Sequence, residues 1–147
     1  MTAIFDFLRR RPSKRTDRQK TGDAGERVAE RFLKRHGYRI VARNVAYRQG
    51  EVDLVAAEKR TGTLCFVEVR SRVLGDGDKA VVEPEETVTL AKRRRIVAAA
   101  RTYLARRRVA GRGVRFDVIA VRFAGAGDKR PDIRHYAGAF DAAGRTM

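Results

Sequence analysis

Residues 50–72, Gly-Glu-Val-Asp-Leu-Val-Ala-Ala-Glu-Lys-Arg-Thr-Gly-Thr-Leu-Cys-Phe-Val-Glu-Val-Arg-Ser-Arg, restrict the fold of this chain more than any other stretch. Val52, Leu54 and Ala56 alternate with Glu51, Asp53 and Val55, and Val67 and Val69 alternate with Phe66, Glu68 and Arg70. A period of two is what a half-buried strand requires. Between the runs, Lys59-Arg60-Thr61-Gly62 supplies turn chemistry and a residue that tolerates positive φ. With those four residues as the loop, Glu58 pairs with Thr63 and Ala57 with Leu64. Counting back, Leu54 faces Val67, and Asp53 lies opposite Glu68.

Opposed side chains on one sheet face have Cβ atoms roughly 5 Å apart, and like charges there repel. A divalent cation between the two carboxylates would turn the repulsion into coordination, since hard ions such as Mg²⁺ are held by carboxylate oxygens, water and phosphate. The competing reading is a solvated hairpin face with acids and bases scattered along it. A one-residue slip in register would also place the acids on opposite faces.

Charge narrows the partners. The 147 residues carry 34 Lys+Arg against 18 Asp+Glu, a net charge of +16. Such a field draws polyanions and makes their binding salt-sensitive, so nucleic acid is the expected partner. The basic residues do not line one long amphipathic helix, as membrane-surface binding would require. A single cysteine, Cys65, excludes an internal disulfide, and two histidines exclude a Cys/His zinc site. The apolar patch at residues 4–8 is too short for a signal peptide, and no run reaches membrane-spanning length. The expectation is one soluble, cytoplasmic domain.

Residues 1–20 read as a flexible basic tail, 21–140 as a single domain and 141–147 as a C-terminal tail. A helix is expected over residues 21–36, capped by Thr21 or Asp23, with Ala24, Val28, Phe32 and Leu33 as its apolar stripe and Gly37 as its stop. Glu26 and Glu30, one turn apart on it, are either surface acids paired with Lys34, Arg27 or Arg31, or, for Glu26, an acid reaching the sheet edge. Residues 38–47 form a first strand, giving a helix over an antiparallel meander. Residues 73–88 form an acidic, glycine-containing loop, either a flap over a substrate or, as such segments more commonly are, a plain surface excursion. Residues 89–108 form the longest helix, with Leu90, Ile96, Val97, Ala100, Tyr103 and Leu104 buried and Lys92, Arg93, Arg94 and Arg95 fanned around a turn. That run is either a solvated face or a phosphate-tracking surface. Residues 114–123 form a strand that joins the sheet in parallel after the helix, and residues 132–140 a last short strand. Arg115 and Asp117 are either a buried pair or exposed edge charges.

The wording Gly22-Asp23-Ala24-Gly25-Glu26, Gly37-Tyr38, Arg43-Asn44, Gly50-Glu51-Val52-Asp53-Leu54-Val55, Phe66-Val67-Glu68-Val69-Arg70-Ser71-Arg72, Lys92 and Arg115-Phe116-Asp117-Val118, in this order, resembles the YraN-like family. This is a group of uncharacterised small bacterial proteins assigned to the restriction-endonuclease-like, PD-(D/E)XK, superfamily. The resemblance covers about residues 20–140. It implies an α/β, restriction-endonuclease-like fold with a mixed sheet of 4–5 strands flanked by helices. By the same resemblance Asp53, Glu68 and Glu26 would hold Mg²⁺ or Mn²⁺, joined by the backbone carbonyl of Val69, with Glu51 behind them. Arg43, Arg48, Arg72, Arg93, Arg94 and Arg95 are the candidate nucleic-acid contacts.

Two positions depart from the signature: Val52 replaces its proline and Arg70 its lysine. Arginine grips phosphate but stays protonated and cannot act as a base. Lys92 would supply the missing amine if its helix docks with that side towards the hairpin. The function implied is a metal-dependent endonuclease acting on DNA, branched or flapped by fold analogy and as a homodimer. The alternatives are a non-catalytic nucleic-acid-binding module that keeps the fold, and an RNA-associated protein.

Overall fold

The computed structural model describes residues 16–75, 88–107 and 112–147. The basic segment 1–15 and the loop residues 76–87, including most of the expected flap, lie outside them. The element order is α1 (Asp17–Arg35), β1 (Tyr38–Tyr47), β2 (Gly50–Glu58), β3 (Leu64–Val73), α2 (Leu90–Arg107), β4 (Val114–Phe123) and β5 (Asp132–Phe140). The strands lie in one sheet in the order β1-β2-β3-β4-β5. β1, β2 and β3 form an antiparallel meander, β4 runs parallel to β3, and β5 returns antiparallel along β4. This is the mixed α/β sheet the sequence leads one to expect, with five strands and a helix on each face.

Each helix covers its own core. Against α1 lie Leu54, Ala56, Cys65, Val67, Ile119 and Val121. Against α2 lie Val55, Ala57, Phe66, Phe116 and Val118, closed by Ile96, Val97, Ala100 and Tyr103. A sheet covered on both faces explains why β4 reads as a nearly continuous apolar run. Cys65 is buried and free, and burial pushes its thiol up to about 12.

Several expectations are corrected. α1 starts at Asp17, four residues before the expected first residue, because Thr16 and not Thr21 or Asp23 forms the cap. Thr16 accepts from the Gln19 N–H and Gln19 answers back to the Thr16 N–H, a reciprocal pair that satisfies two unpaired donors. The expected tail boundary at residue 20 therefore falls inside the helix. Its most buried residues are Gly25, Ala29 and Leu33, with Ala24, Val28 and Phe32 only partly covered, so the stripe is rotated by a residue. On α2, Leu90 is 40% exposed and Ala99 takes its place in the core. Residues 141–147 do not form a free tail: Thr146 bridges to Phe140, and Asp141 accepts from the N–H groups of Ala143 and Arg145.

Arg115 and Asp117 are a buried pair. Asp117, fully buried, accepts from Arg115 Nε at 2.8 Å and Nη2 at 2.9 Å and from the Gly138 N–H at 3.0 Å, with His135 Nε2 2.8 Å away. Arg115 also donates to the Tyr38 hydroxyl at 2.7 Å. Burial alone would push the Asp117 carboxyl up, but these donors outweigh it and hold the group below its usual range.

Candidate functional site

The hairpin register is as expected over Leu54↔Val67, Val55↔Phe66, Ala56↔Cys65 and Ala57↔Leu64, and Glu58 donates to Thr63 across the turn at 2.9 Å. The ladder then stops one pair short of Asp53 and Glu68. Beyond that point β2 stays paired with β1 down to Gly50, while β3 stays paired with β4 up to Val73. The sheet therefore forks between Asp53 and Glu68. The cause is local, because Asp53 Oδ2 accepts from the Val69 N–H at 2.8 Å and takes a donor that a ladder would have used. Opposite Asp53, between the pairs Arg43↔Leu54 and Val45↔Val52, Asn44 adopts φ 48°. The alternation of β2 breaks at this place, and Val52 packs on the α2 side with Val55 where strict alternation would put it with Leu54.

The fork is the mouth of a cleft of about 500 Å³, lined by Glu26, Asp53, Glu68 and the β3 residues Val69 to Val73 together with Arg18, Thr21 and Gly22 of α1. Two glycines set its walls. A Cβ on Gly25 would overlap the Ser71 hydroxyl, and one on Gly50 would overlap the Arg95 carbonyl oxygen. Gly25 thus seats α1 on β3 with Glu26 next in sequence, and Gly50 seats β2 on α2 with Glu51 next in sequence.

Glu68 is 4% exposed and its Oε2 has no hydrogen-bond partner. Burial, reinforced by the charge of Asp53 and opposed by Lys92 and Arg70, pushes its carboxyl up to about 8. Burial also raises Asp53, opposed by the Val69 N–H, by Glu68 and by Lys92. Glu26 is pushed up to about 7 by burial and then by Asp53, Asp23 and Glu51. All three carboxyls are raised first by burial, which the cations beside Glu68 only partly offset.

Lys92 docks where the site needs it. Its N–H is held by the Thr89 side chain at the start of α2, and its Nζ lies 3.4 Å from Glu51 and 3.8 Å from Glu68. Arg70 Nη1 also lies 3.8 Å from Glu68. Glu51 is mostly exposed and meets the site through Lys92. Among the described residues no three His, Cys, Asp or Glu side chains are close enough to form a metal cluster, so Glu26, Asp53 and Glu68 share a cleft but not a ready coordination shell. Asp53 and Glu68 are the pair that could hold a cation, with Glu26 facing them across the cleft.

The expected nucleic-acid contacts separate. Arg72 lines the cleft. Arg43 is tied to Glu30 through Nε at 2.8 Å and through Nη2, which holds the Glu30 carboxyl down at about 2. Glu30 also pairs with Lys34 at 2.9 Å. Arg93 is half-buried and donates through Nη1 to the Val88 carbonyl at 3.1 Å beside Gly144. Arg48, Arg94 and Arg95 are exposed and do not line the cleft. Ser71, whose Oγ is buried without a partner, Thr21 and Arg18 belong to the site but escaped the sequence reading. Only Gly25, adjacent to Glu26 in an otherwise regular helix, hinted at the close contact. Among the described residues no helix is long and apolar enough to cross a membrane.

The pattern of the Uncharacterised protein family UPF0102 matches residues 25–121, which contain the fork, both seating glycines and Lys92. The chain is 47% identical to the UPF0102 protein Anae109_1947 of Anaeromyxobacter sp. (strain Fw109-5), over 88% of this chain and 90% of that one. It is 45% identical to a UPF0102 protein of Myxococcus xanthus (strain DK1622), over 86% and 93% of the two chains, and 40% identical to one of Geobacter metallireducens, over 83% and 93%. With the pattern matched across the core and identity sustained over nearly the whole length, the chain belongs to UPF0102, which is the YraN-like family.

Proposed function

We propose that this protein is a Mg²⁺- or Mn²⁺-dependent phosphodiesterase of the restriction-endonuclease-like type, acting on DNA. The observation that carries the reading is Glu68: a carboxylate 4% exposed, with one oxygen unpartnered, set beside Asp53 at the mouth of an open cleft. Lys92 and Arg70, each 3.8 Å from Glu68, offset only part of the cost of burying this acid pair, and coordination would relieve the rest. Asp53 and Glu68 would hold the metal, with Glu26 acting across the cleft through water. When bound, the ion supplies charge for the phosphate oxygens and a more acidic water.

The chain's own residues do the rest. Arg70 and Arg72, on the cleft wall, grip and orient the phosphate. Lys92, reaching Glu68 from α2, favours the ionised carboxylate and supplies the amine that Arg70 replaces on β3. Asp53, fixed by the Val69 N–H, keeps one oxygen in a set direction.

A second reading is favoured by two specific observations, arginine at position 70 and the absence of a three-ligand cluster among the described residues. It is a binding module that keeps the fold without efficient cleavage. One experiment separates the two. Duplex, single-stranded, flapped and four-way-junction DNA are incubated with wild type and Asp53→Asn in Mg²⁺, Mn²⁺ or EDTA. Metal-dependent cleavage lost in Asp53→Asn supports the hydrolase. Binding without cleavage by either protein supports the module.

A further inference from the structure

The cleft at the fork does not end at α1. Arg18, Thr21 and Val73 line both it and a second cavity of about 670 Å³ that runs along α1 beneath the β4–β5 loop. Val28, Arg31 and Asp128 line both that cavity and a third of about 490 Å³, which continues to His36. Together the second and third cavities carry seven Lys/Arg side chains against two acids, Asp17 and Asp128. Asp128 is turned to the N–H groups of Ala124 and Arg130 at 2.9 Å each.

The spacing of these cations is ordered. Arg27, Arg31 and Arg35 follow at four-residue intervals on α1 and so share one side of it, with Lys129 and Arg130 facing them from the loop. None of these five is in an ion pair among the described residues, in contrast to Lys34 on the helix and Arg43 on β1, which both pair with Glu30. Lys20, seven residues before Arg27, lies on the same side, so the row from Lys20 to Arg35 is about 22 Å long at 1.5 Å per residue, enough for about six steps of a nucleic-acid strand at 3.4 Å each. Apart from Lys92, which reaches Glu68, the α2 cations stay off the cleft, which is lined by α1, β3 and Asp53 of β2.

We infer that the α1 groove is the phosphate track of this protein, holding a nucleic-acid backbone on one side of the fork and leading it to Asp53 and Glu68. The inference rests on the nucleic-acid reading above and assigns the surface that reading leaves open. Exposed cations on α2 contribute only to the general field.

The test measures binding of a fluorescein-labelled 30-mer, single-stranded or duplex, by anisotropy in EDTA over 50–300 mM salt. Arg27→Ala/Arg31→Ala is compared with Arg94→Ala/Arg101→Ala on α2, and with Arg27→Lys/Arg31→Lys as the charge-preserving control. The expected result is a slope of log affinity against log salt shallower by about 1.5 for the α1 alanine pair and unchanged for the α2 pair, with the lysine pair near wild type. The single-stranded and duplex arms decide which form follows the track. Wild-type slopes in the α1 alanine pair, with DNA still bound, would overturn the track and leave the nucleic-acid reading standing. No salt-dependent binding by wild type would overturn both.

Discussion

A Cβ added to Gly25 would stand 2.7 Å from the Cβ of Ser71 and overlap its hydroxyl, so α1 rests on β3 through a contact that admits no side chain. Alanine at a helix position normally gains about 1 kcal/mol over glycine. Here the gain is expected to reverse. Gly25→Ala should cost about 1–3 kcal/mol in urea unfolding through overpacking, and Ser71→Ala should recover part of it by removing the hydroxyl. Because Glu26 follows Gly25, the same variant should weaken Mn²⁺ binding measured by calorimetry. A stability equal to or above wild type would show that the contact is loose.

Glu68 is one contributor to the pH dependence of stability. Its ordinary value of 4.5 is raised to about 8 in the fold, so between these two pH values the native state binds more protons than the unfolded state. Stability in EDTA should therefore fall as pH rises from 5 to 8. Glu68→Gln should flatten the decline and be more stable at pH 8 by on the order of 2 kcal/mol. Lys92→Met, which removes the cation that favours ionised Glu68, should extend the decline to higher pH. Thermal unfolding across pH reads all three, and a pH-independent wild type would exclude a raised Glu68.

Asp117 carries the opposite sign. Its lowered carboxyl contributes stability above the ordinary 3.8, and that contribution is lost as pH falls through the native value. Asp117→Ala would strand Arg115 and the Gly138 N–H inside the α1-side core, at a cost of about 3–5 kcal/mol. Since Asp117 does not line the cleft, Mn²⁺ titration of the folded variant should match wild type. A changed metal affinity would tie this network to the site.

Arg70→Lys distinguishes the two functional readings. If arginine is what limits cleavage, lysine should raise the rate of plasmid nicking in Mn²⁺ by on the order of tenfold or more at pH 8, where an amine can lose its proton more readily than a guanidinium. Unchanged inactivity alongside retained DNA binding would favour the non-catalytic module.

Periodicity and turn chemistry in the sequence determined most of the architecture. β1 and β4 lie where the alternation predicts, and the Lys59–Gly62 turn fixes the hairpin register that brings Leu54 to Val67. The parallel return of β4 follows from a long helix between two strands. Residue identity also named the acids of the site and the arginine that departs from the signature. The tertiary structure decided what those acids experience. A ladder count carried one step too far placed Asp53 against Glu68 as a sheet pair, whereas a single side-chain bond to the Val69 N–H ends the ladder and opens the fork. Which arginines stay available is likewise beyond pattern: Arg43 and Arg93 are tied down by Glu30 and the Val88 carbonyl, while Arg27 and Arg31 line a groove. Local sequence carries backbone preferences over a few residues, but burial, carboxyl pKa values and free charge depend on groups that meet only when distant elements pack.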